Sequence, residues 1–235
     1  MVRGATSPGV CADVGEGTSE LVPVELRIRF HRHLGEIDAE VVRMFAIVRE
    51  RVAAATDSFV TGNAELAQGV TSRDVQVDRL EREVELLTER LLLTESPMCG
   101  DMRYLVTVLR VVPQLERCGD LAEHVAQRTV TGLGARLTPR TGELVAQMGS
   151  QCDTMWAEAA RAWAARDANA AEALDLLDDE LDSLHAELSA EIPKGGMVVA
   201  DAMQATLVGR FYERLGDHAV HIARRIAHLA PAYAD

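Results

Sequence analysis

The 235-residue sequence has few aromatic residues and no long apolar run. Only 4% of its residues are aromatic, whereas alanine, leucine, glutamate and arginine are abundant, and these four are strong helix formers. No segment approaches the roughly 20 consecutive apolar residues that a bilayer-spanning helix needs. We therefore expect an all-α soluble protein that does not insert directly into a membrane.

The chain also has only four cysteines, and it has fewer basic than acidic residues. Cys11, Cys99, Cys118 and Cys152 form no C-x-x-C pair, so neither a zinc knuckle nor a disulfide framework is indicated, and we expect reduced thiols in the cytoplasm. The 24 Lys and Arg residues face 37 Asp and Glu, a net charge of −13. Such a chain repels a phosphate backbone, which argues against nucleic acid as a partner and favours cations.

The N-terminal segment lacks the continuous apolar stretch of a secretory signal. It is rich in glycine and small polar residues, and we expect a flexible tail over residues 1–24. Further along, apolar residues recur at three- and four-residue steps, which is typical of amphipathic helices. The periodic segments are approximately 25–59, 66–91, 102–125, 139–166, 169–191 and 197–230.

The two halves of the chain are copies of each other. Residues 115–124 match residues 212–221 at Glu, Arg, Gly, Asp, Ala and His, 97 positions apart. Asp74-x-x-x-Asp78 likewise matches Asp178-x-x-x-Asp182, 104 positions apart. This internal repeat, with short turns between long helices, predicts two tandem antiparallel three-helix bundles, over residues 25–134 and 135–235.

Acidic residues and a histidine share one face of the third helix in each half. Their four-residue spacing places successive Cβ atoms roughly 5–6 Å apart. Like charges at this spacing destabilise an isolated helix by roughly 0.2–0.5 kcal/mol per pair, and a multivalent cation would neutralise them. The two sets are Glu116, Asp120 and His124 in the first half and Glu213, Asp217 and His221 in the second.

The second helix of each half carries a further acidic pair, which antiparallel packing would bring opposite the third helix. Carboxylates together with an imidazole suit divalent or trivalent Fe, Zn or Mn, with Mg as a further candidate. We therefore predict two metal sites. They are completed by Asp74, Asp78 and Glu81 in the first half and by Asp178, Asp182 and His185 in the second.

Other interpretations of the acidic faces stay open. The carboxylates could be solvated, or paired with Arg117 and Arg214, or they could meet basic residues of a partner in a metal-free helical adaptor. A di-metal carboxylate enzyme is a further alternative. Such enzymes use Glu-x-x-His motifs, whereas the nearest element here is Asp182-x-x-His185, so we expect a protein without catalytic activity.

Two residue types inside the predicted helices need an explanation. Gly119 and Gly216 each cost a helix roughly 1 kcal/mol relative to alanine, and close helix packing is the ordinary reason for such a glycine. Pro113 removes a backbone hydrogen bond from the third helix, and we expect a kink there.

The motifs carry a likeness to a known family. L-E-R-x-G-D-x-A-x-H at 115–124, F-Y-E-R-L-G-D-H-A-V-H-I-A at 211–223 and D-M-R at 101–103 resemble PhoU proteins, and the likeness extends over about residues 30–230. The resemblance implies tandem three-helix bundles with a paired acidic motif on two helices of each bundle. Those motifs correspond to Asp74/Asp78, Glu116/Asp120, Asp178/Asp182 and Glu213/Asp217.

The resemblance also implies a function. It is that of a metal-binding negative regulator of phosphate uptake and phosphate-starvation signalling, which restrains a sensor histidine kinase and the ATPase subunit of the phosphate transporter. It further implies a homodimer, held at the inner face of the membrane only through its partners. The sequence departs from the family where His124 and His221 replace the frequent Asn, at Pro113, and in residues 1–24, which precede the usual family start.

Overall fold

The computed structural model describes residues 21–72 and 75–229, and within these ranges all regular structure is helical. Two short 3₁₀ turns, Gly134–Arg136 and Ile192–Lys194, connect neighbouring helices. Residues 1–20 of the predicted tail and Asp74 lie outside the described residues. The helices are α1 (Leu21–Thr61), α2 (Ala64–Thr71), α3 (Val75–Thr94), α4 (Cys99–Val130), α5 (Pro139–Ala165), α6 (Ala170–Glu191) and α7 (Val199–Ala227).

The helices form two three-helix units that share one core. The first unit contains α1, the pair α2 and α3, and α4, and the second contains α5, α6 and α7. Helices α1 and α4 of the first unit pack against α5 and α7 of the second, while α3 and α6 lie on the outside of their units. The predicted all-α fold of two tandem three-helix bundles is therefore confirmed.

The second helix of the first unit is divided into α2 and α3, although the sequence pattern predicted one continuous helix. Helix α2 ends at Thr71 and α3 begins at Val75. The hydroxyls of Thr71 and Ser72 donate to the carbonyls of Gln68 and Gly69 at 3.1 and 3.3 Å. The backbone N–H groups of the described part of this break are also satisfied locally, since the N–H of Ser72 donates to the carbonyls of Gln68 and Val70.

Capping and turn residues set the other boundaries. Asn63 Oδ1 accepts a hydrogen bond from the backbone N–H of Leu66 at 3.1 Å and begins α2. Thr138, followed by Pro139, begins α5 in the same manner. The hairpin before α7 passes through Gly195 and Gly196, whose φ angles of 95° and 90° favour glycine.

A group of polar contacts around Asp38 joins the two units at the edge of the aromatic part of the core. Asp38 on α1 accepts hydrogen bonds from Tyr104 of α4 at 3.3 Å and from Trp163 of α5 at 3.0 Å, and it pairs with Arg166. The guanidinium of Arg166 also lies over the ring of Trp163, 4.5 Å from its centroid. Trp163 is fully buried against Phe45, so these contacts fix α1, α4 and α5 relative to one another.

Helices α4 and α7 run antiparallel, and residues 97 positions apart occupy equivalent places along their contact. The ring of His124 on α4 packs against Phe211 on α7 with centroids 5.3 Å apart. At the equivalent place, His221 on α7 lines a pocket together with Gln114 on α4. The sequence repeat is therefore also a pseudo-twofold relation between the two units.

Two further expectations concern Pro113 and the membrane. Helix α4 runs from Cys99 to Val130 through Pro113 without a break. Among the described helices, none is both long and apolar enough to cross a membrane.

Candidate metal centres

The acidic residues of the second unit lie between α6 and α7, as predicted. Burial, followed by the negative charges of Asp182 and Asp217, raises the pKa of Asp178 to about 6. Asp175 and Glu213 contribute to the same effect. Four of the predicted ligands, Asp178, Asp182, Glu213 and Asp217, therefore form one electrostatically coupled group.

Gly216 allows this close approach of the two helices. A Cβ at Gly216 would lie 2.6 Å from Oδ1 of Asp178 and 2.5 Å from Cδ2 of Leu181. About two turns earlier on α7, a Cβ at Gly209 would lie 3.3 Å from the ring of His185. The expectation of close packing at Gly216 agrees with the structure, and His185 lies on the side of α6 that faces α7.

Glu213 shows an unsatisfied carboxylate oxygen. Its Oε2 is buried and has no hydrogen-bond partner in the part of the chain that the structure describes. Its other oxygen pairs with Arg210. Burial, followed by the charge of Asp217, raises the pKa of Glu213, whereas Arg210 acts in the opposite direction. A buried acceptor without a donor is costly, and a cation is one way to satisfy it.

The first unit repeats the arrangement between α3 and α4. Burial raises the pKa of Glu81, and the charges of Glu85, Asp78 and Asp120 add to the shift. Glu116 and Asp120 are half-buried on α4. A Cβ at Gly119 would lie 2.9 Å from Nη1 of Arg51, so this glycine faces a flexible side chain rather than a carboxylate. Asp74, the remaining predicted ligand of this unit, lies outside the described residues.

The two predicted histidine ligands on the third helices lie at the α4–α7 contact. His124 is exposed and packs on Phe211. His221 is exposed and lines a pocket with residues of α4. Both rings therefore lie at the contact between the units, and their role as ligands stays a prediction.

The alternative of salt bridges to Arg117 and Arg214 does not match the observed pairs. Within residues 21–72 and 75–229, neither arginine makes an ion pair with the motif carboxylates. Among the described residues, Glu213 pairs with Arg210 instead. Residue 113, the equivalent position of the first unit, is a proline, so that unit has no arginine at the place of Arg210.

The donor chemistry of both clusters fits a cation, although the side chains are not gathered into a coordination shell. No three His, Cys, Asp or Glu side chains of the described residues converge closely enough to hold a metal ion. The observations in favour are the buried acceptor on Glu213 and the raised pKa values of Glu81, Asp178 and Glu213. The two metal sites therefore stay a prediction.

Two acidic neighbours of the clusters were missed from the sequence. Glu85 follows Glu81 by four residues, and Asp175 precedes Asp178 by three, and each raises the pKa of that neighbour. Both spacings place residues on one helix face, so extension of the acidic stripe by one turn would have found them. Asp175 also pairs with Arg224 at 3.0 Å.

Fold and site together define a class: a duplicated three-helix-bundle protein with an acidic cluster between the second and third helices of each unit. The family model described as PhoU domain matches the chain twice, over residues 41–129 and 145–226. These two matches cover both units. The chain belongs to the PhoU family.

Curated relatives and solved structures agree with this assignment. The "Phosphate-specific transport system accessory protein PhoU homolog" of Pseudomonas aeruginosa is 28% identical over 205 residues, which cover 86% of this chain and 85% of that protein. A homologue from Mycobacterium tuberculosis, designated PhoU homolog 2, is 29% identical over 206 residues, covering 86% and 96% of the two chains.

Among solved structures, the crystal structure of PhoU from Pseudomonas aeruginosa superposes with a TM-score of 0.81 at 27% identity, covering 86% of this chain and 99% of that one. The regulatory protein PhoU from Streptococcus pneumoniae superposes with a TM-score of 0.76 at 23% identity, covering 86% and 96%, and supports the fold alone.

Proposed function

We propose that this chain is a negative regulator of phosphate uptake and of phosphate-starvation signalling. The observation that carries the proposal is the match of the PhoU family model to both three-helix units. The relatives from Pseudomonas aeruginosa and Mycobacterium tuberculosis, which align over most of their length, are described as accessory proteins of phosphate-specific transport.

The proposed partners are the ATPase subunit of the phosphate transporter and a sensor histidine kinase. Regulation through protein contact requires no substrate pocket, and we propose a role without catalysis. We further propose a cytoplasmic homodimer that reaches the inner face of the membrane through these partners. An accessory role in transport is the support for contact with transporter components.

Metal binding is the second part of the proposal. Each acidic cluster would hold one or more ions of Fe, Zn, Mn or Mg, and such an ion would neutralise carboxylates that repel one another. The support is the repetition of the cluster in both units, together with the raised pKa values of Glu81 and Asp178. Asp178, Asp182, His185, Glu213 and Asp217 would serve the second site.

A genetic test addresses the regulatory part. The double variant Asp120→Asn/Asp217→Asn is expressed in a strain that lacks the native gene, and a phosphate-starvation reporter is measured in high phosphate. We expect derepression, as in the deletion strain. A matched control, Glu83→Gln/Glu187→Gln, changes two exposed carboxylates on α3 and α6 that pair only with arginine, and it should keep repression. A reporter that stays repressed in the Asp120/Asp217 variant would contradict the proposal.

An elemental test addresses the metal part. The protein is purified without a His tag or chelator, and bound metal is compared between wild type, Glu116→Gln/Asp120→Asn and Glu213→Gln/Asp217→Asn. We expect a stepwise fall in metal content as each site is removed. A wild-type protein that carries no metal and takes up none on reconstitution would favour the adaptor interpretation, in which the acidic faces contact basic residues of a partner.

A further inference from the structure

Two adjoining pockets lie on the α4–α7 contact, at the end where α4 begins and α7 ends. Their volumes are about 520 and 620 Å³. Arg110 and Arg225 line both pockets, Arg103 and His228 line the first, and His221 lines the second. We call the surface formed by these five residues the basic groove.

Among the described residues, the basic groove has no counter-charge of its own. Neither pocket is lined by an aspartate or glutamate. In the part of the chain that the structure describes, Arg103, Arg110 and Arg225 make no ion pair, although the adjacent Arg224 pairs with Asp175 at 3.0 Å. Uncompensated arginines around one cavity in a chain of net charge −13 form a localised site for an anion.

The internal repeat provides a comparison surface within the same molecule. At the opposite end of the α4–α7 contact, Ala200 occupies the place of Arg103 and Leu207 the place of Arg110, each 97 residues away. The positive charge therefore belongs to one end of the contact and does not follow from the fold itself.

The third arginine differs in how it is held. Arg128 is the equivalent of Arg225, and it donates hydrogen bonds to Gln204 at 3.3 Å and to the carbonyl of His124 at 3.0 Å. It also lies over the ring of Phe211, 5.0 Å from the centroid. Among the described residues, Arg225 has no such side-chain contacts. Its guanidinium is available, whereas that of Arg128 is fixed in a structural role.

The chemistry of the basic groove points to phosphoryl groups. A guanidinium group presents a planar fork of N–H donors that matches two oxygens of a phosphate. Pockets of roughly 300–1,000 Å³ are typical of small-molecule sites. Arg110 and Arg225 line both pockets, so the two pockets are continuous at these side chains. One ligand with separated anionic groups can therefore occupy both pockets. We propose that the basic groove binds a soluble small molecule that carries two or more phosphoryl groups.

Binding of tripolyphosphate and of ATP to the purified full-length protein tests the proposal, with isothermal titration calorimetry as the readout. We expect both probes to bind more tightly than orthophosphate, which can contact only part of the groove. Arg110→Gln and Arg225→Gln should each weaken tripolyphosphate binding by about tenfold or more, because each removes a charge-assisted contact. A wild-type protein that binds neither probe would overturn the proposal.

Two control variants separate a built site from general surface charge. Arg128→Gln changes the pseudo-equivalent arginine, and Arg224→Gln changes the paired neighbour, so both should bind tripolyphosphate within about twofold of wild type. Equal weakening by the control variants and by Arg225→Gln would show non-specific attraction and overturn the proposal. Circular dichroism of each variant establishes that it is folded.

A phosphorylated lipid headgroup offers the same chemistry from a membrane. Flotation with phosphatidylcholine vesicles, with and without a phosphorylated inositol lipid, distinguishes this source. Binding to the lipid-containing vesicles without binding of soluble tripolyphosphate would overturn the proposal in favour of a membrane surface. The inference goes beyond the proposed regulatory function, and because its assay uses purified protein, its failure would leave the reporter experiment unaffected.

Discussion

Gly216 on α7 and Asp178 on α6 lie so close that a methyl group on the glycine would reach within 2.6 Å of Oδ1 of the aspartate. Leu181 would be 2.5 Å from the same methyl group. At the equivalent glycine of the first unit, Gly119, a methyl group would lie 2.9 Å from Nη1 of Arg51 and 3.9 Å from Cγ1 of Val77. The two units therefore tolerate a side chain at this position to different degrees.

Gly216→Ala should destabilise the protein by roughly 1–3 kcal/mol, because overpacking forces Asp178 and Leu181 to shift. Gly119→Ala should change stability by less than about 1 kcal/mol, because the added methyl group meets the end of one long side chain, that of the buried Arg51, and alanine is the better helix former. Urea unfolding followed by circular dichroism measures both. An equal loss of stability in the two variants would contradict the predicted difference between the two glycines.

The raised pKa of Asp178 predicts a pH dependence of stability in chelator-treated protein. Its pKa of about 6 in the folded state exceeds the unfolded value of about 3.9, so near pH 5 the folded state holds a proton that the unfolded state has lost. The contribution of this group to the free energy of unfolding is therefore present at low pH and is lost as pH rises through 6.

Asp178→Asn should remove that contribution. At pH 7 we expect the variant to be more stable than wild type by about 1 kcal/mol, a value reduced for the partial solvent exposure of this carboxyl. The slope of stability between roughly pH 4 and 6 should also become shallower. Asp179→Asn, at the exposed neighbouring position, is the control and should leave the slope unchanged.

Metal addition should stabilise the wild-type protein if the acidic clusters are sites. A ligand at 100 times its Kd contributes about 2.7 kcal/mol, which corresponds to a rise in Tm of roughly 5–10 °C for a chain of this length. Differential scanning calorimetry with Mn²⁺ measures the shift, and Asp178→Asn/Asp217→Asn should show less of it. An unchanged wild-type Tm across Fe²⁺, Zn²⁺ and Mn²⁺ would count against metal sites.

Asn63 precedes α2 and Asn169 precedes α6, and these two asparagines provide a test of helix capping. Asn63 accepts the N–H of Leu66, whereas Asn169 makes no side-chain capping bond. Asn63→Ala should therefore cost about 1 kcal/mol, and Asn169→Ala should fall within roughly 0.5 kcal/mol of wild type. Chemical unfolding of the two variants provides the comparison, and similar losses would indicate that α2 is not held by its cap.

Much of the fold could be predicted because long amphipathic helices and an internal repeat leave a strong pattern. The acidic cluster between α6 and α7 was predicted for the same reason, since a four-residue spacing fixes the helix face. The division of α2 from α3 could not be read from apolar periodicity. Val70 and Val77, on either side of the break, are seven residues apart, so the apolar spacing keeps the helical period across it.

The sequence pattern also did not predict which neighbouring helix the two histidines face. Three residues at four-residue steps drift around the helix, so His124 and His221 lie where α4 meets α7, beside the residues that face α3 and α6. The pairing of Glu213 with Arg210 rather than Arg214 had the same origin. Which neighbour a surface side chain selects depends on the packing of the partner helices, which the sequence of one helix does not contain.

The shared core of α1, α4, α5 and α7 has a consequence for how such a protein can change. A single three-helix unit would expose the face that its twin covers, so the duplicated chain is equivalent to a homodimer whose subunits have been fused. In a homodimer, one substitution alters the same position in both subunits. Fusion removes that restriction, and Arg103 and Arg110 opposite Ala200 and Leu207 are the mark of two halves that have since acquired separate surfaces.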